Sequence, residues 1–301
     1  MNCDITLPEV SEAIDRLPDG KSYLEIPGEA LKCIEAKILL QKFFSRCFQL
    51  GLSPYDWDKS DIIPIPKPDK DSRLPLNHRP ITIMCVIAKL YAGILNRRLQ
   101  SYLEDNNILS DEQNGFRAGR SCIDHIFTLM TILRNRKSMN KSTFICYIDF
   151  RRAFDSVDRQ LLLFSLSKIG IVGQMYFALK ALYNDPKSRI VLDGFPTDYF
   201  SCPLGVKQGS PESPTLFSIF IDSLARELTS TGVGVSINTS EDNLCNDQSA
   251  ETIISTLLYA DDIVIMSETE VILLYCLEHT FCKMMNHIVK QHLYFRCIIS
   301  Q

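Results

Sequence analysis

Two adjacent aspartates lie between two apolar runs in the segment STLLYADDIVIM, residues 255–266. The apolar runs favour two strands joined by a turn, which places Asp261 and Asp262 at or beside that turn. Adjacent carboxylates repel each other, and each resists burial unless something compensates its charge. The residues alone therefore leave two interpretations open, a solvated turn or a site prepared for a cation.

The composition is that of an ordinary globular chain: of its 301 residues, 46% are hydrophobic and 23% are charged. That length suits one large domain or two smaller ones. No apolar run is long enough to span a membrane and no signal peptide follows Met1, so we expect an intracellular protein of the nucleus or cytoplasm, not a secreted one. The 11 cysteines are odd in number and show no CxxC spacing, which favours reduced thiols.

Charge is distributed unevenly along the chain. The net charge is −4, yet residues 61–160 carry 16 Lys/Arg against 11 Asp/Glu, and residues 241–280 carry nine Asp/Glu and no Lys or Arg. A basic first half and an acidic second half are compatible with a phosphate-binding surface beside a cation-dependent site. Solvated charged faces with no binding role remain an equal alternative.

Helical and strand-like patterns are intermixed along the chain, without a repeat. The proline-rich residues 53–80 are predicted to be extended, and the Gly/Pro loop LGVKQGSPESP is predicted to lead into a helix. The polar residues 238–250 are predicted to form a surface loop, and Asp193-Gly194 to turn a hairpin. Helices are predicted on both sides of a loop within 7–50, over 81–105, after Ser121, before Gly170 and over 173–185. The pattern favours an α+β fold with a mainly antiparallel sheet.

A third carboxylate stands near the end of a predicted strand. The segment STFICYIDF, residues 142–150, is β-branched and aromatic, and Asp149 lies at its end. A strand of this kind beside a hairpin carrying Asp261 and Asp262 could gather three carboxylates. Carboxylate oxygens are preferred ligands of Mg²⁺ and Mn²⁺, and two such ions about 3.5–4 Å apart support in-line phosphoryl displacement.

Five segments in one order resemble the reverse transcriptases of non-LTR (LINE-type) retrotransposons. They are WDKSDIIPIPKPDK with NHRPITI, LSDEQNGFRAGRSCIDHIF, CYIDFRRAFDSVDR, LGVKQGSPESPTLFSIFID and LLYADDIVIM, the last of which is similar to the YADD motif. The resemblance implies a right-hand polymerase fold with fingers and a ferredoxin-like palm. It further implies an N-terminal helical extension over 1–47 and a reverse transcriptase domain over 48–301, with fingers at about 53–140, palm at 141–285 and a divergent tail at 286–301. The family's thumb and its segment after YADD are expected to be missing.

The resemblance also implies roles for individual residues. Two metal ions, Mg²⁺ or Mn²⁺, are expected at Asp149, Asp261, Asp262 and the backbone carbonyl of Phe150, with the three aspartates catalytic. Lys67, Arg79, Phe154, Gln208 and Gly209 are expected to bind the nucleotide, with Phe154 as the aromatic gate against a ribose 2′-hydroxyl. Arg117 and Arg120 are expected to contact the template backbone, whereas Asp155 and Asp158 are expected to be structural. The implied partners are an RNA template, a DNA primer and a deoxynucleoside triphosphate, without a membrane.

Three functional interpretations remain open at this stage. The first is an RNA-directed DNA polymerase, the second an inactive retrotransposon fragment that keeps the fold and nucleic-acid affinity, and the third another palm-fold enzyme such as a nucleotide cyclase. Three departures from the family bear on activity. Ser210 and Glu212 replace the usual residues of the glycine loop, where Glu212 adds negative charge, the sequence after YADD diverges, and the thumb is expected to be missing. Cysteine and histidine residues in that last segment could be read as zinc ligands, but their spacing favours a helix with core cysteines: Cys276, His279, Cys282, His287 and His292.

Overall fold

The computed structural model describes residues 1–17, 22–23, 26–150, 152–239, 250–283 and 293–300. The helices of these ranges are α1 Leu7–Asp15, α2 Gly28–Leu31, α3 Ile34–Leu50, α4 Val86–Asp105, α5 Cys122–Ser138, α6 Arg159–Lys168, α7 Gln174–Ala181, α8 Ser213–Ser230 and α9 Glu270–Lys283. The strands are β1 Ser22–Tyr23, β2 Ile26–Pro27, β3 Lys59–Pro66, β4 His78–Ile83, β5 Thr143–Phe150, β6 Lys187–Leu192, β7 Phe195–Pro196, β8 Phe200–Ser201, β9 Val235–Thr239, β10 Ala250–Ile254, β11 Thr256–Tyr259, β12 Asp262–Ser267 and β13 Leu293–Ser300. The chain divides into two compact units, one of residues 1–106 with 159–216 and the other of residues 107–158 with 217–301.

The first unit contains a mixed sheet. Its strands are ordered β4-β3-β6-β7, with β8 also paired to β6; β3 runs antiparallel to β4 and parallel to β6. The rings of Phe44, Trp57 and Tyr91 pack together in the core, with ring centroids 5.3–6.3 Å apart. The predicted hairpin is confirmed, because Leu192 pairs with Phe195 across Asp193 and Gly194, both of which have positive φ.

The predicted start of the helix at residue 81 is wrong. Residues 81–83 continue strand β4, in which Ile81 pairs with Ile63 and Ile83 with Asp61, and the helix α4 begins at Val86. The β-branched run favours a strand once a partner strand is available, and this tertiary pairing overrides the helical spacing of the apolar residues.

The second unit contains an antiparallel sheet with the order β11-β12-β5-β13. The sheet packs against α5 and the β9–β10 pair through a buried apolar cluster: Ile132, Ile145, Val235, Leu257 and Met266. The predicted cap of α5 is confirmed, because Ser121 is its N-cap and the Asp124 carboxylate accepts a hydrogen bond from the Ser121 N–H at 2.7 Å. The two sheets and the helices around them confirm the α+β class.

The last part of the chain contains one strand that the sequence did not predict and corrects one predicted loop. Residues 293–300, predicted as part of a divergent tail, form β13 and pair with the whole of β5. Residues 235–239 and 250–254 form the antiparallel pair β9–β10, so the loop predicted over 238–250 is wrong at residues 238, 239 and 250. Residues 240–249 lie outside the described residues. Cys276 lies buried in α9, as a core cysteine would, whereas His287 and His292 lie outside the described residues. The predicted domain boundaries stay predictions.

Candidate active site

Asp149 occupies the exposed face of a central strand. In β5 the side chains of Ile148 and Phe150 are buried, whereas those of Tyr147 and Asp149 are exposed. The alternation follows from the two-residue period of a strand, which sends successive side chains to opposite faces. The strand thus holds Asp149 on a rigid backbone and directs its carboxylate away from the core.

The adjacent aspartates lie in and beside a tight turn. Tyr259 of β11 pairs with Asp262 of β12, so Ala260 and Asp261 form a two-residue hairpin loop. The φ angle of Ala260 is +59° and that of Asp261 is not positive, which is the φ pattern of a type II′ turn. The sequence prediction of a strand–turn–strand is confirmed, with Asp261 inside the turn and Asp262 as the first residue of β12.

The register places two carboxylates side by side. Asp262 is directly opposite Asp149 in the antiparallel β12–β5 pair, and directly opposite residues point to the same face of a sheet. Burial raises the pKa of Asp261, and the charges of Asp262 and Asp149 raise it further. The pKa of Asp262 is raised by burial and by the charge of Asp149. The three aspartates are therefore electrostatic neighbours, as the sequence predicted, and they repel one another.

The chemistry of this donor set fits a hard divalent cation. Three carboxylates in one place favour Mg²⁺ or Mn²⁺, because such ions prefer oxygen ligands and neutralise the repulsion. Within the described ranges, however, no group of three or more His, Cys, Asp or Glu side chains is arranged closely enough to hold a metal ion. The structure thus shows neighbouring carboxylates, not a formed metal centre, and the metal role of the Phe150 carbonyl stays a prediction.

Phe154 belongs to a group of three aromatic rings. It begins the short 3-10 helix that follows β5, and its ring stacks on that of Phe217 with centroids 5.0 Å apart. The ring of Phe116 meets it edge-on at 6.1 Å. Phe217 is buried and Phe154 is half-buried, so Phe154 has a packing role. Its role as a gate against the 2′-hydroxyl stays a prediction.

The two arginines predicted to bind the template are engaged within their own segment. Arg117 is buried and donates to the backbone carbonyls of Ser110 and Gln113, at 2.9 and 3.2 Å. Arg120 forms an ion pair with the exposed Asp111 and donates to the Asn114 side chain. Both thus have a structural role that the sequence did not predict, and their template contacts stay predictions.

In the first unit, Lys67 and Arg79 lie on one ribbon of two strands. Arg79 is opposite Ile65 in the β3–β4 pair, and the Lys67 N–H donates to the Asn77 carbonyl at 2.8 Å, two pairs further along. The two-residue period therefore puts Lys67 and Arg79 on the same face as diagonal neighbours. Both side chains are exposed, and neither forms an ion pair with another residue of the described ranges. Two such cations suit an anionic ligand.

Gln208 and Gly209 are held against the same ribbon. The Thr82 N–H donates to the Gln208 carbonyl at 2.8 Å. Gly209 has φ +110°, and a Cβ atom there would lie 2.9 Å from the Thr82 carbonyl oxygen. The glycine is therefore required for packing within the unit, a reason the sequence did not reveal. Nucleotide binding by Gln208 and Gly209 stays a prediction.

Glu212 does not add an exposed charge to the glycine loop, as its position in the sequence suggested. The side chain is 1% exposed, and its carboxylate accepts hydrogen bonds from the Tyr183 hydroxyl at 2.8 Å and from the Ser210 hydroxyl. Burial lowers the pKa of the nearby Lys207, and the charges of Glu212 and Asp58 oppose that shift. The loop is thus anchored by a buried polar network that pairs Ser210 with Glu212.

The comparisons with known proteins agree with this geometry. The family described as "Reverse transcriptase (RNA-dependent DNA polymerase)" matches residues 65–293. The chain belongs to this reverse transcriptase family. Its members generally use divalent metal ions.

Curated relatives of the chain are retrotransposon proteins. The chain is 29% identical over 248 residues to "Retrovirus-related Pol polyprotein from type-1 retrotransposable element R2" of Popillia japonica, an alignment that covers 82% of the chain and 32% of that protein. It is 24% identical to "RNA-directed DNA polymerase from mobile element jockey" of Drosophila funebris, over 88% of the chain and 28% of that protein. The resemblance to non-LTR reverse transcriptases is confirmed. The chain spans about a third or less of the length of these relatives.

A solved structure shows the same fold. The chain resembles the structure of apo telomerase from Candida tropicalis truncated from the C-terminal domain, with a TM-score of 0.56 and 12% identity, over 83% of the chain and 51% of that protein. This likeness agrees with the fingers-and-palm polymerase fold expected from the sequence. Among the described helices, none is both long and apolar enough to cross a membrane.

Proposed function

We propose that this chain is the polymerase portion of a non-LTR retrotransposon protein, and that it copies an RNA template by extending the 3′-hydroxyl of a DNA primer with deoxynucleoside triphosphates. The observation that supports this most strongly is the register that pairs Asp262 with Asp149, beside the turn that contains Asp261. Like charges directly opposite each other weaken a sheet, so a fold that keeps them favours a cation-dependent role.

The three aspartates are proposed to hold two Mg²⁺ or Mn²⁺ ions. Such ions, when bound, stabilise the attacking and leaving oxygens of a phosphoryl transfer. The chain's own contribution is to carry the carboxylates on β5 and on the β11–β12 turn, from which they would converge on the ions. The pKa values of Asp261 and Asp262 are raised, so these carboxylates bind protons more readily than an ordinary aspartate does. A cation that binds there must therefore compete with protons.

The first unit is proposed to bind the nucleotide. Lys67 and Arg79 supply exposed positive charge for the triphosphate, and Gln208 and Gly209 contact the incoming nucleotide from the loop held against β4.

Phe154 is proposed to favour deoxynucleotides by occupying the space of a 2′-hydroxyl, and Arg117 and Arg120 to contact template phosphates. We also propose an intracellular site of action in the nucleus or cytoplasm, which suits the scattered cysteines.

Primer extension by the purified chain tests this proposal. An RNA template with an annealed DNA primer is incubated with all four deoxynucleotides in Mg²⁺ and then in Mn²⁺, beside the double variant Asp261→Asn/Asp262→Asn. We expect extension that the double variant loses. A folded chain that binds the primer–template in a salt-dependent manner but extends nothing would refute the proposal.

The same result would support a second candidate, a non-catalytic retrotransposon remnant that binds nucleic acid. One observation favours it, namely that no metal-holding group of side chains is formed among the described residues. The two candidates separate on Mn²⁺ binding to the chain alone, since only the first requires an affinity that depends on Asp149, Asp261 and Asp262.

A further inference from the structure

One buried side chain outside the predicted site contacts the turn that carries Asp261. Gln113 is fully buried, and its Oε1 atom accepts two hydrogen bonds, from the Gly115 N–H at 2.7 Å and from the Ala260 N–H at 3.1 Å. Because both partners are donors, the network itself fixes which end of the amide is the oxygen. Gln113 thus ties the turn of the carboxylate hairpin to a separate loop of the same unit.

The loop and the hairpin are fitted to each other over several residues. The Leu258 N–H donates to the Glu112 carbonyl at 2.7 Å, and the Asn114 N–H donates to the Leu258 carbonyl at 3.0 Å, so the loop adds a short parallel bridge to β11. A Cβ atom on Gly115 would lie 2.1 Å from the Ala260 nitrogen, a contact that only glycine permits. The loop backbone therefore lies directly against the turn.

The turn is in a conformation that needs such support. Ala260 has φ +59°, in the left-handed region that an alanine adopts only at a cost in free energy. Ala260 is buried, so its N–H cannot exchange the Gln113 oxygen for water without opening the structure. The conformation of Ala260 sets the direction of Asp261, which is the next residue in the chain, and of Asp262 at the start of β12.

We propose that Gln113 is a positioning residue of the active site, which holds the Ala260–Asp261 turn so that Asp261 and Asp262 face the same cation as Asp149. The inference rests on the proposed function for its consequence in catalysis, but the metal-binding consequence can be measured separately. Gln113 itself is not expected to touch the metal or the substrate, because its oxygen is already occupied by two N–H donors.

The test is Mn²⁺ binding to the purified full chain, followed by electron paramagnetic resonance, in the wild type and in Gln113→Met. Methionine keeps the length and volume of the side chain but lacks the acceptor. We expect Mn²⁺ affinity to fall about tenfold or more, the range typical of losing a group that orients a metal ligand. In primer extension, the Mg²⁺ concentration for half-maximal rate should rise by a similar factor, while the rate at saturating Mg²⁺ changes less.

A rescue experiment separates positioning from general loss of structure. Ala260→Gly allows the left-handed conformation without steric cost, so in the Gln113→Met background it should restore part of the lost Mn²⁺ affinity. The matched control is Thr256→Val in β11, which removes a fully buried hydroxyl that has no hydrogen-bond partner among the described residues and should leave Mn²⁺ affinity unchanged. If Gln113→Met does not fold, amide hydrogen exchange in the wild type takes the place of this variant. The Ala260 N–H is then expected to be protected from exchange with solvent.

Several results would overturn the inference. They are unchanged Mn²⁺ affinity in folded Gln113→Met, no restoration by Ala260→Gly, rapid exchange of the Ala260 amide, or wild-type Mn²⁺ binding that does not depend on the aspartates. A chain that binds Mn²⁺ through the aspartates and loses affinity with Gln113→Met, yet extends no primer, would refute the proposed function and leave the positioning role standing.

Discussion

Removing one of the paired carboxylates should stabilise the metal-free chain. In the variant Asp262→Asn the repulsion between Asp262 and Asp149, which are directly opposite in the sheet, is abolished. Directly opposite residues lie about 5 Å apart, and at that distance two unit charges in water repel by about 0.8 kcal/mol. This agrees with measured cross-strand pairs, which contribute about 0.2–1 kcal/mol. For units of this size the melting temperature should rise by about 1–3 °C.

The effect should depend on pH in a defined direction. Because the pKa values of Asp261 and Asp262 are raised in the folded chain, the folded state binds their protons more readily than the unfolded state does. The stability of the wild type therefore falls as the pH rises from the ordinary aspartate value through the raised ones. The advantage of Asp262→Asn should be absent at low pH and grow across that window.

Thermal unfolding without and with Mg²⁺ measures this effect between acid and neutral pH. The control is Asp198→Asn, an exposed aspartate of the other unit whose removal changes the net charge equally. Mg²⁺ should raise the melting temperature of the wild type more than that of the variant, since only the wild type keeps all three carboxylates. A melting temperature that is unchanged or lower in metal-free Asp262→Asn, or a gain equally large at low pH, would refute the reasoning.

Three further substitutions test other parts of the structure. Gly209→Ala should weaken nucleotide binding or lower the melting temperature, because the added Cβ would lie 2.9 Å from the Thr82 carbonyl oxygen and Gly209 has φ +110°. The control is Gly194→Ala, since Gly194 also has a positive φ but a Cβ there would meet nothing within 4 Å. Tyr183→Phe should destabilise the first unit by about 1.5–3 kcal/mol, since it removes a hydrogen bond to the buried Glu212 carboxylate; an effect no larger than that of the exposed Tyr55→Phe in denaturant unfolding would contradict this. Arg136→Met should destabilise the second unit by about 1–3 kcal/mol, because the Thr143 hydroxyl and the Ser142 carbonyl lose the buried guanidinium as their hydrogen-bond donor. The partner carboxylate of Glu268, 2.7 Å away, is 40% exposed and adds little to that loss. Wild-type stability in the same assay would show that these contacts are dispensable.

The elements that sequence predicted well are those set by local chemistry. Strand β5 follows from its β-branched and aromatic residues, the start of α5 from Ser121 with Asp124, and the β6–β7 hairpin from Asp193-Gly194. The neighbourhood of Asp149 and Asp262 was expected from the resemblance to the reverse transcriptase family, although the two residues lie far apart in the chain. For β5, the start of α5 and the hairpin, the deciding residues lie within a few positions of the feature that they determine.

The features that sequence missed depend on distant partners. Ile81 and Ile83 belong to a strand because β3 pairs with them, and residues 293–300 form β13 because the edge of β5 is available. Glu212 looked like an unfavourable surface charge, yet Tyr183, 29 residues earlier, supplies its hydrogen bond. Gln113 gave no local signal, since its partner Ala260 lies 147 residues away.

The measurement that tests the central claim most directly is addition of a single nucleotide on four RNA templates that differ only at the first templating base. The purified chain is given one labelled deoxynucleotide at a time in the presence of Mg²⁺, with Asp149→Asn as the control. The account predicts that only the complementary nucleotide is added on each template, and that Asp149→Asn adds none. Addition that ignores the templating base, or a folded chain that binds the primer–template and adds nothing, would contradict it.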